Sequence, residues 1–289
     1  MNEQEIRAIV EEMVRGMAKN EQPRTAPAAV RTAEPDGGCL DDISELELRE
    51  LYLVAHPEKR EAFLELKRRT PARLAVGRAG ARYKTLTQLR MRADHAAAQD
   101  SVFSMVDEEF VAKQGYVPVQ TLCGDKDQYL TRPDLGRRFG AEAQEVIRKT
   151  LGSNPKVALV VGDGLSSAAI EANAADCMAA VQQGLRAYHI EPGPVLFVKY
   201  CRVGASDHIG ELTGAEVVCM LVGERPGLVT AESMSAYLTY GARIGIPESR
   251  RTVISNIHRQ GTTAVEAGAH IAELVDRMLK QKTSGIDLK

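Results

Sequence analysis

Glu216 to Leu228 reads EVVCMLVGERPGL, an apolar run that stops at a Gly, a Glu-Arg pair and a Pro-Gly. Six consecutive apolar residues, Val217 to Val222, are short for a helix and suit a strand buried on both faces, as in the middle of a parallel sheet. The polar cluster that follows then lies at a strand's carboxyl end, where open α/β sheets bind ligands. Gly223, Glu224 and Arg225 are therefore the first candidates for function.

Working outward, the carboxyl-terminal half repeats a rhythm of strand, turn and helix. Val157 to Val161 is a strand, Gly162 to Ser167 a tight turn with a Ser cap, and a helix follows to about Leu185. Val195 to Tyr200 is the next strand, leading into Cys201-Arg202-Val203-Gly204, and Asp207 to Thr213 makes a short helix before Val217 to Val222. Ser235 to Tyr240 and Thr252 to Ile257 are further strands. Thr263-Ala264-Val265-Glu266 is a capping box that opens a helix through Lys280. The pattern predicts a doubly wound, Rossmann-like parallel sheet over residues 155–289.

The region before it, 40–154, reads as mainly helical, with helices over about Leu40 to Arg69 (broken at His56-Pro57), Leu86 to Val106 and Thr131 to Leu151. Residues 1–18 space Ile6, Ile9, Val10, Met13, Val14 and Met17 along one face of a short amphipathic helix. Residues 19–39 carry Pro23, Pro27, Pro35 and Gly37-Gly38 and read as a flexible linker. A helix on a tether is a docking peptide, or else a terminus folded back onto its own domain.

Composition narrows the class. With 44% hydrophobic and 26% charged residues and no apolar run near the roughly 18 residues of a membrane span, the expectation is a soluble protein with no bilayer segment. The five cysteines are widely spaced, without a CxxC pair, and read as free thiols in a reducing cytoplasm, not as a disulfide frame or metal site. A net charge of -2 gives no global attraction to nucleic acid, yet Lys67 to Arg92 holds nine bases and no acid. That run is either a solvated basic face or a surface for an anionic partner. Only Tyr83 interleaves it, and no nucleic-acid motif accompanies it, so RNA is the weaker version.

The motifs do not converge on catalysis. Gly162-x-Gly164-x-x-Ser167 follows a strand, but lacks the third glycine, and the next strand ends in Cys201-Arg202 where an NAD site wants an acid. There is no Walker A loop, GxSxG elbow or HExxH. Asp94-His95 are helix neighbours whose side chains diverge, so they do not make a general-base pair. Asp207-His208-Ile209-Gly210 differs in spacing from the cobalt-ligating His loop of corrinoid proteins, which leaves His208 as an ordinary surface His. No catalytic set and no metal set is expected in this chain, and the strand ends read as a binding surface.

The blocks GRAGARYKT, LRMRADHAAAQDSV, YLTRPDLGRR, VVGDGLSSAAI, VGERPGL and ISNIHRQGT, from about residue 65 onward, resemble the small (light) subunit family of ethanolamine ammonia-lyase. The resemblance implies a subunit of an adenosylcobalamin-dependent lyase in which a larger TIM-barrel partner holds ethanolamine. Cobalt-carbon homolysis would start the radical conversion to acetaldehyde and ammonia, the protein positioning and shielding the cofactor. It implies a hexamer of heterodimers, and an amino-terminal extension that targets a bacterial microcompartment by meeting its shell or cargo. By motif, the family's cobalamin contacts fall on Val203, Glu224 and Val253, the last standing where related chains have Cys. Glu224 would accept hydrogen bonds from corrin amides, or else pair locally with Arg225. Two other classes stay open at this stage: a stand-alone nucleotide-binding oxidoreductase, and an RNA-associated module built on the basic run.

Overall fold

The computed structural model describes residues 42–43 and 46–289, of which Ile43–Lys289 forms one compact unit. The expected docking helix (1–18) and linker (19–39) lie outside the described residues.

A six-stranded sheet is the frame. Its strands are β3 (Val117–Gln120), β4 (Val157–Gly162), β5 (Val195–Lys199), β6 (Val217–Gly223), β7 (Met234–Tyr240) and β8 (Arg251–Ile257), in the order β3-β5-β4-β6-β7-β8. A separate two-stranded piece pairs β1 (Arg78–Ala79) with β2 (Arg82–Tyr83). The opening run of the sequence is a strand as expected: every residue of β6 is buried, with Val217 to Val222 in register with Val157 to Gly162 of β4.

The sheet is mixed, which corrects the expectation of parallel strands throughout. β3, β5, β4 and β6 are parallel, whereas β7 runs antiparallel to β6 and β8 antiparallel to β7. Chain length explains the reversal. A parallel return needs a crossover of roughly a dozen residues or more, usually helical, and residues 224–233 and 241–250 are too short and contain no α-helix.

Residue parity divides the core. Leu159, Val161, Phe197, Cys219 and Leu221 face a cluster shared with α6 (Ser167–Ala187) and α8 (Ala264–Gln281). Ala158, Val160, Leu196, Val198, Val218 and Met220 face the opposite cluster, with Ile147 of α5 (Ala141–Leu151) and Ile209 of α7 (Ala205–Thr213). Helices thus cover both faces, and the three interior parallel strands β5, β4 and β6 carry continuous apolar runs because neither face meets water.

The capping box is formed as read: Thr263 accepts from the Glu266 backbone while Glu266 reaches back to the Thr263 N–H. Elsewhere the helical expectations shorten. Within 40–69 the α-helix among the described residues is α1 (Arg60–Arg68), and residues 46–59 carry turns and bends without helix. The region expected to be mainly helical, 40–154, contributes β3, hydrogen-bonded to β5 from Val117↔Leu196 to Gln120↔Lys199. α2 (Thr85–Phe103) and α3 (Glu108–Lys113) precede that strand. The single helix expected over 131–151 is instead α4 (Lys126–Thr131), a 3-10 turn at Leu135–Arg137 and α5. Pro133 has no N–H to continue a helix, and Gly136 lies where a Cβ would come within 2.7 Å of Arg202 Cγ. No helix among the described residues is long and apolar enough to cross a membrane.

Candidate functional site

The carboxyl ends of β5, β4 and β6 lie side by side, and each is followed by a loop that sequence reasoning singled out. β4 leads to α6 on one face and β5 to α7 on the other, so their adjacent ends diverge, which is the topology that opens a crevice in α/β sheets.

Val203 sits in the turn between β5 and α7, half-buried against the α5/α7 cluster. Its carbonyl accepts from the Ser206 backbone N–H at 3.0 Å and the Ser206 hydroxyl at 2.7 Å, fixing the entry to α7. Glu224 follows β6. Its backbone N–H donates to Ser233 O at 3.0 Å, and its Oε1 accepts from the Tyr237 hydroxyl at 2.8 Å. Its local partner is therefore a phenol on the neighbouring strand, not Arg225. Val253 lies on edge strand β8, directly opposite Tyr237, and is 46% exposed.

These residues share one side of the sheet. Opposed residues of an antiparallel pair point the same way, so Val253 is on the Tyr237 face, and Tyr237 packs against the same apolar cluster as Val203. Tyr237 thus touches Glu224 through its hydroxyl and is the cross-strand neighbour of Val253. Burial, then the Glu224 hydrogen bond, push its phenol up to about 12, so it stays protonated and donates. Sequence reasoning read Tyr237 only as a strand residue. The available signal was alternation: Ser235, Tyr237 and Thr239 put hydroxyls on one face of an interior strand, which a strand with no role there would fill with aliphatics. Ser235 Oγ is buried without a partner among the described residues.

Asp163, at the end of β4, points the other way. Its Oδ2 accepts from the Val106 N–H at 3.3 Å, its Oδ1 has no partner among the described residues, and the residue is 1% exposed. Burial raises its pKa to about 6 against the pull of Lys126 and Lys199. It lines a cavity of about 580 Å³ with Val106, Tyr116, Gln120, Phe197 and Lys199.

The turn that resembled a dinucleotide fingerprint is filled by its own chain. Ser166 caps α6 by accepting from the Ala169 N–H, while its hydroxyl meets Ser101 Oγ at 2.9 Å, and Ser167 Oγ bonds to Ser104 Oγ. A Cβ on Gly164 would come within 2.6 Å of Gly223 O. The open helix N-terminus that a pyrophosphate needs is thus occupied by α2 and the residue after it.

His208 is not a surface residue. It is 8% exposed, its Nδ1 accepts from the Phe139 N–H at 3.1 Å, and burial lowers its pKa. A neutral imidazole packed 5.5 Å from the Phe139 ring joins α7 to the segment before α5. Asp94 is likewise absorbed structurally, accepting from Arg73 at 2.6 Å and Arg90 at 2.9 Å. The described cysteines, Cys123, Cys177, Cys201 and Cys219, are buried free thiols, and no metal-holding group of His, Cys, Asp or Glu occurs among the described residues.

Comparison with known proteins places the chain in a family. The family model of the ethanolamine ammonia-lyase light chain matches residues 60–289. Ethanolamine ammonia-lyase small subunits of Clostridium perfringens and Clostridioides difficile are each 58% identical, and that of Lachnoclostridium phytofermentans 59%, all over the full length of both chains. The chain belongs to the ethanolamine ammonia-lyase small (light) subunit family.

Proposed function

We propose that this chain is the cofactor-shielding subunit of an adenosylcobalamin-dependent ethanolamine ammonia-lyase, and that Val203, Glu224 and Val253 contribute to one wall of the cobalamin site. Full-length identity of 55–59% to ethanolamine ammonia-lyase small subunits carries the reading. A small subunit implies a large partner, and the substrate site belongs there; no catalytic residue is assigned to this chain.

The residues fit the group. A corrin is an apolar ring edge fringed with primary amides, so it needs hydrogen-bond acceptors beside aliphatic surface. Glu224 keeps Oε2 without a partner among the described residues while Tyr237 steadies Oε1, and the exposed Val253 and half-buried Val203 offer apolar contact on the same face. Val253, without a thiol, supports packing only. Bound adenosylcobalamin supplies the radical chemistry by which ethanolamine becomes acetaldehyde and ammonia. This chain's part is to hold amide edges at Glu224, orient the ring against Val203 and Val253, and exclude water from that side.

The same reading assigns residues 155–289, with edge strand β3, to a Rossmann-like cofactor-contacting region. It assigns the assembly to a hexamer of heterodimers, and residues 1–18 on the 19–39 linker to docking on the shell or cargo of a bacterial microcompartment in the cytoplasm. The test is co-purification of this chain with its large subunit and cobalamin. Corrinoid absorbance should travel with the complex on gel filtration, and Glu224→Ala should reduce the retained corrinoid while the two chains still co-elute. Unchanged retention and activity in Glu224→Ala would remove Glu224 from the site.

A further inference from the structure

The basic run from Lys67 to Arg92 is not a free stripe. Arg68 pairs with Glu50 and Arg69 with Glu65 on the surface, whereas Lys67, Arg73 and Arg90 turn toward a cavity of about 430 Å³. That cavity lies among the loop after β6, the loop after β8 and the segment before α1. Two further arginines, Arg49 and Arg259, reach it from the chain's other parts, giving five bases against two acids, Glu47 and Asp94.

The acids do not neutralise the bases. Asp94 is shared by two guanidiniums, Arg73 Nη2 at 2.6 Å and Arg90 Nε at 2.9 Å. Glu47 accepts from the Arg49 backbone N–H, not from a guanidinium. Lys67 Nζ and Arg73 Nη2 spend donors on the carbonyls of Leu51 and Leu228, each at 2.5 Å, and Arg49 Nη2 donates to Gln260 Oε1 at 3.2 Å. Arg73 Nη1 is buried without a partner, and no hydrogen bond or ion pair engages the Arg259 side chain among the described residues. A charged donor that has lost water and gained nothing is costly, on the order of 1–3 kcal/mol or more. An oxygen anion supplied from outside would remove that cost.

We infer that this cavity is a binding site for a phosphate group, held by Arg73 Nη1 and Arg259 with Arg49 at its rim. Guanidinium forks match tetrahedral oxyanions bidentately, and a group of charge roughly -1.5 to -2 near neutral pH suits a surplus of three positive charges better than a carboxylate does. The site takes in part of the acid-free basic run of the sequence, together with the loops that follow β6 and β8.

The full chain, co-expressed with its large subunit, is titrated with inorganic phosphate, glycerol phosphate and acetate at matched ionic strength, following thermal shift and calorimetric heat. Saturable binding of either phosphate, with acetate at least ~10-fold weaker, is the expected result. Inorganic phosphate binding as well as the ester assigns the free ion, and a tighter ester assigns an organic phosphate. Arg259→Ala should weaken binding ~10-fold, and Arg49→Ala less, while Arg186→Ala, a remote exposed arginine, should leave it unchanged. No saturable binding, acetate equal to phosphate, or an unaltered Arg259→Ala titration overturns the assignment.

Discussion

The Tyr237 hydroxyl donates to Glu224 Oε1 at 2.8 Å, so the acid that ends one strand is held by the strand beside it. The bond engages one carboxylate oxygen and leaves the other without a partner among the described residues. Removing the phenolic O–H costs about 1 kcal/mol of folding stability and lets Glu224 sample other rotamers. Tyr237→Phe should therefore lower corrinoid retention by the complex ~5-fold without preventing assembly of the two chains. Retention equal to wild type by gel filtration with absorbance detection would leave Tyr237 a packing residue only.

A second constraint ties β8 to α7. Arg251, with 2% of its side chain exposed, donates to both carboxylate oxygens of Asp207 at 2.7 and 2.9 Å, and its Nε donates to Glu248 at 2.6 Å. Breaking a buried pair strands a charge, whereas replacing both partners with apolar groups does not. Asp207→Ala leaves the buried Arg251 with Glu248 alone and should cost about 3 kcal/mol, the double change Asp207→Leu with Arg251→Met clearly less. Urea midpoints of the single and double variants check this; a double variant worse than Asp207→Ala contradicts it.

What the sequence made legible follows from periodicity. Continuous apolar runs marked β4, β5 and β6, and the Thr263-Glu266 box marked the start of α8, because burial and capping are local in sequence. The direction of β7 and β8 was not read, although the ten residues between Gly223 and Met234 were already too few for a crossover. His208 was misplaced because its burial depends on Phe139, far along the chain. Tyr237 escaped for the same reason: its partner Glu224 lies across a strand pair. Glu224 was singled out by its place after the β6 run, Val203 and Val253 came from a family resemblance, and only the fold shows that the three share a face.

Gly223 ends β6 where the chain has no room for a side chain. A Cβ there would stand 1.9 Å from Ser166 O, in the same turn where the Leu165 N–H donates to Gly223 O at 3.1 Å. Backbone on backbone cannot yield as a flexible side chain can, so Gly223→Ala should cost about 2–3 kcal/mol and lower the melting temperature by roughly 5–10 °C. Gly193→Ala, where a Cβ meets nothing within 4 Å, is the matched control and should be near neutral. Equal melting temperatures for the two variants would show that the strand end relaxes freely.

Asp163 sets a pH dependence of its own. Its folded pKa is raised to about 6 by burial, above the ordinary value near 3.9 for an unfolded chain, so between those values the native state binds more protons than the unfolded one. Stability from this group is therefore present at low pH and is lost as pH rises through about 6, amounting at most to about 3 kcal/mol at neutral pH. An Asn at the same place keeps an acceptor for the Val106 N–H and carries no charge. Asp163→Asn should thus gain stability relative to wild type at pH 7.5, with the difference shrinking toward pH 4. His208 moves in the opposite sense, since its pKa is lowered by burial and acid charges it, but it is common to both proteins and cancels in the comparison. Melting curves of the pair from pH 4 to 8 measure the effect, and a difference that does not change with pH would mean that Asp163 keeps an ordinary acidity.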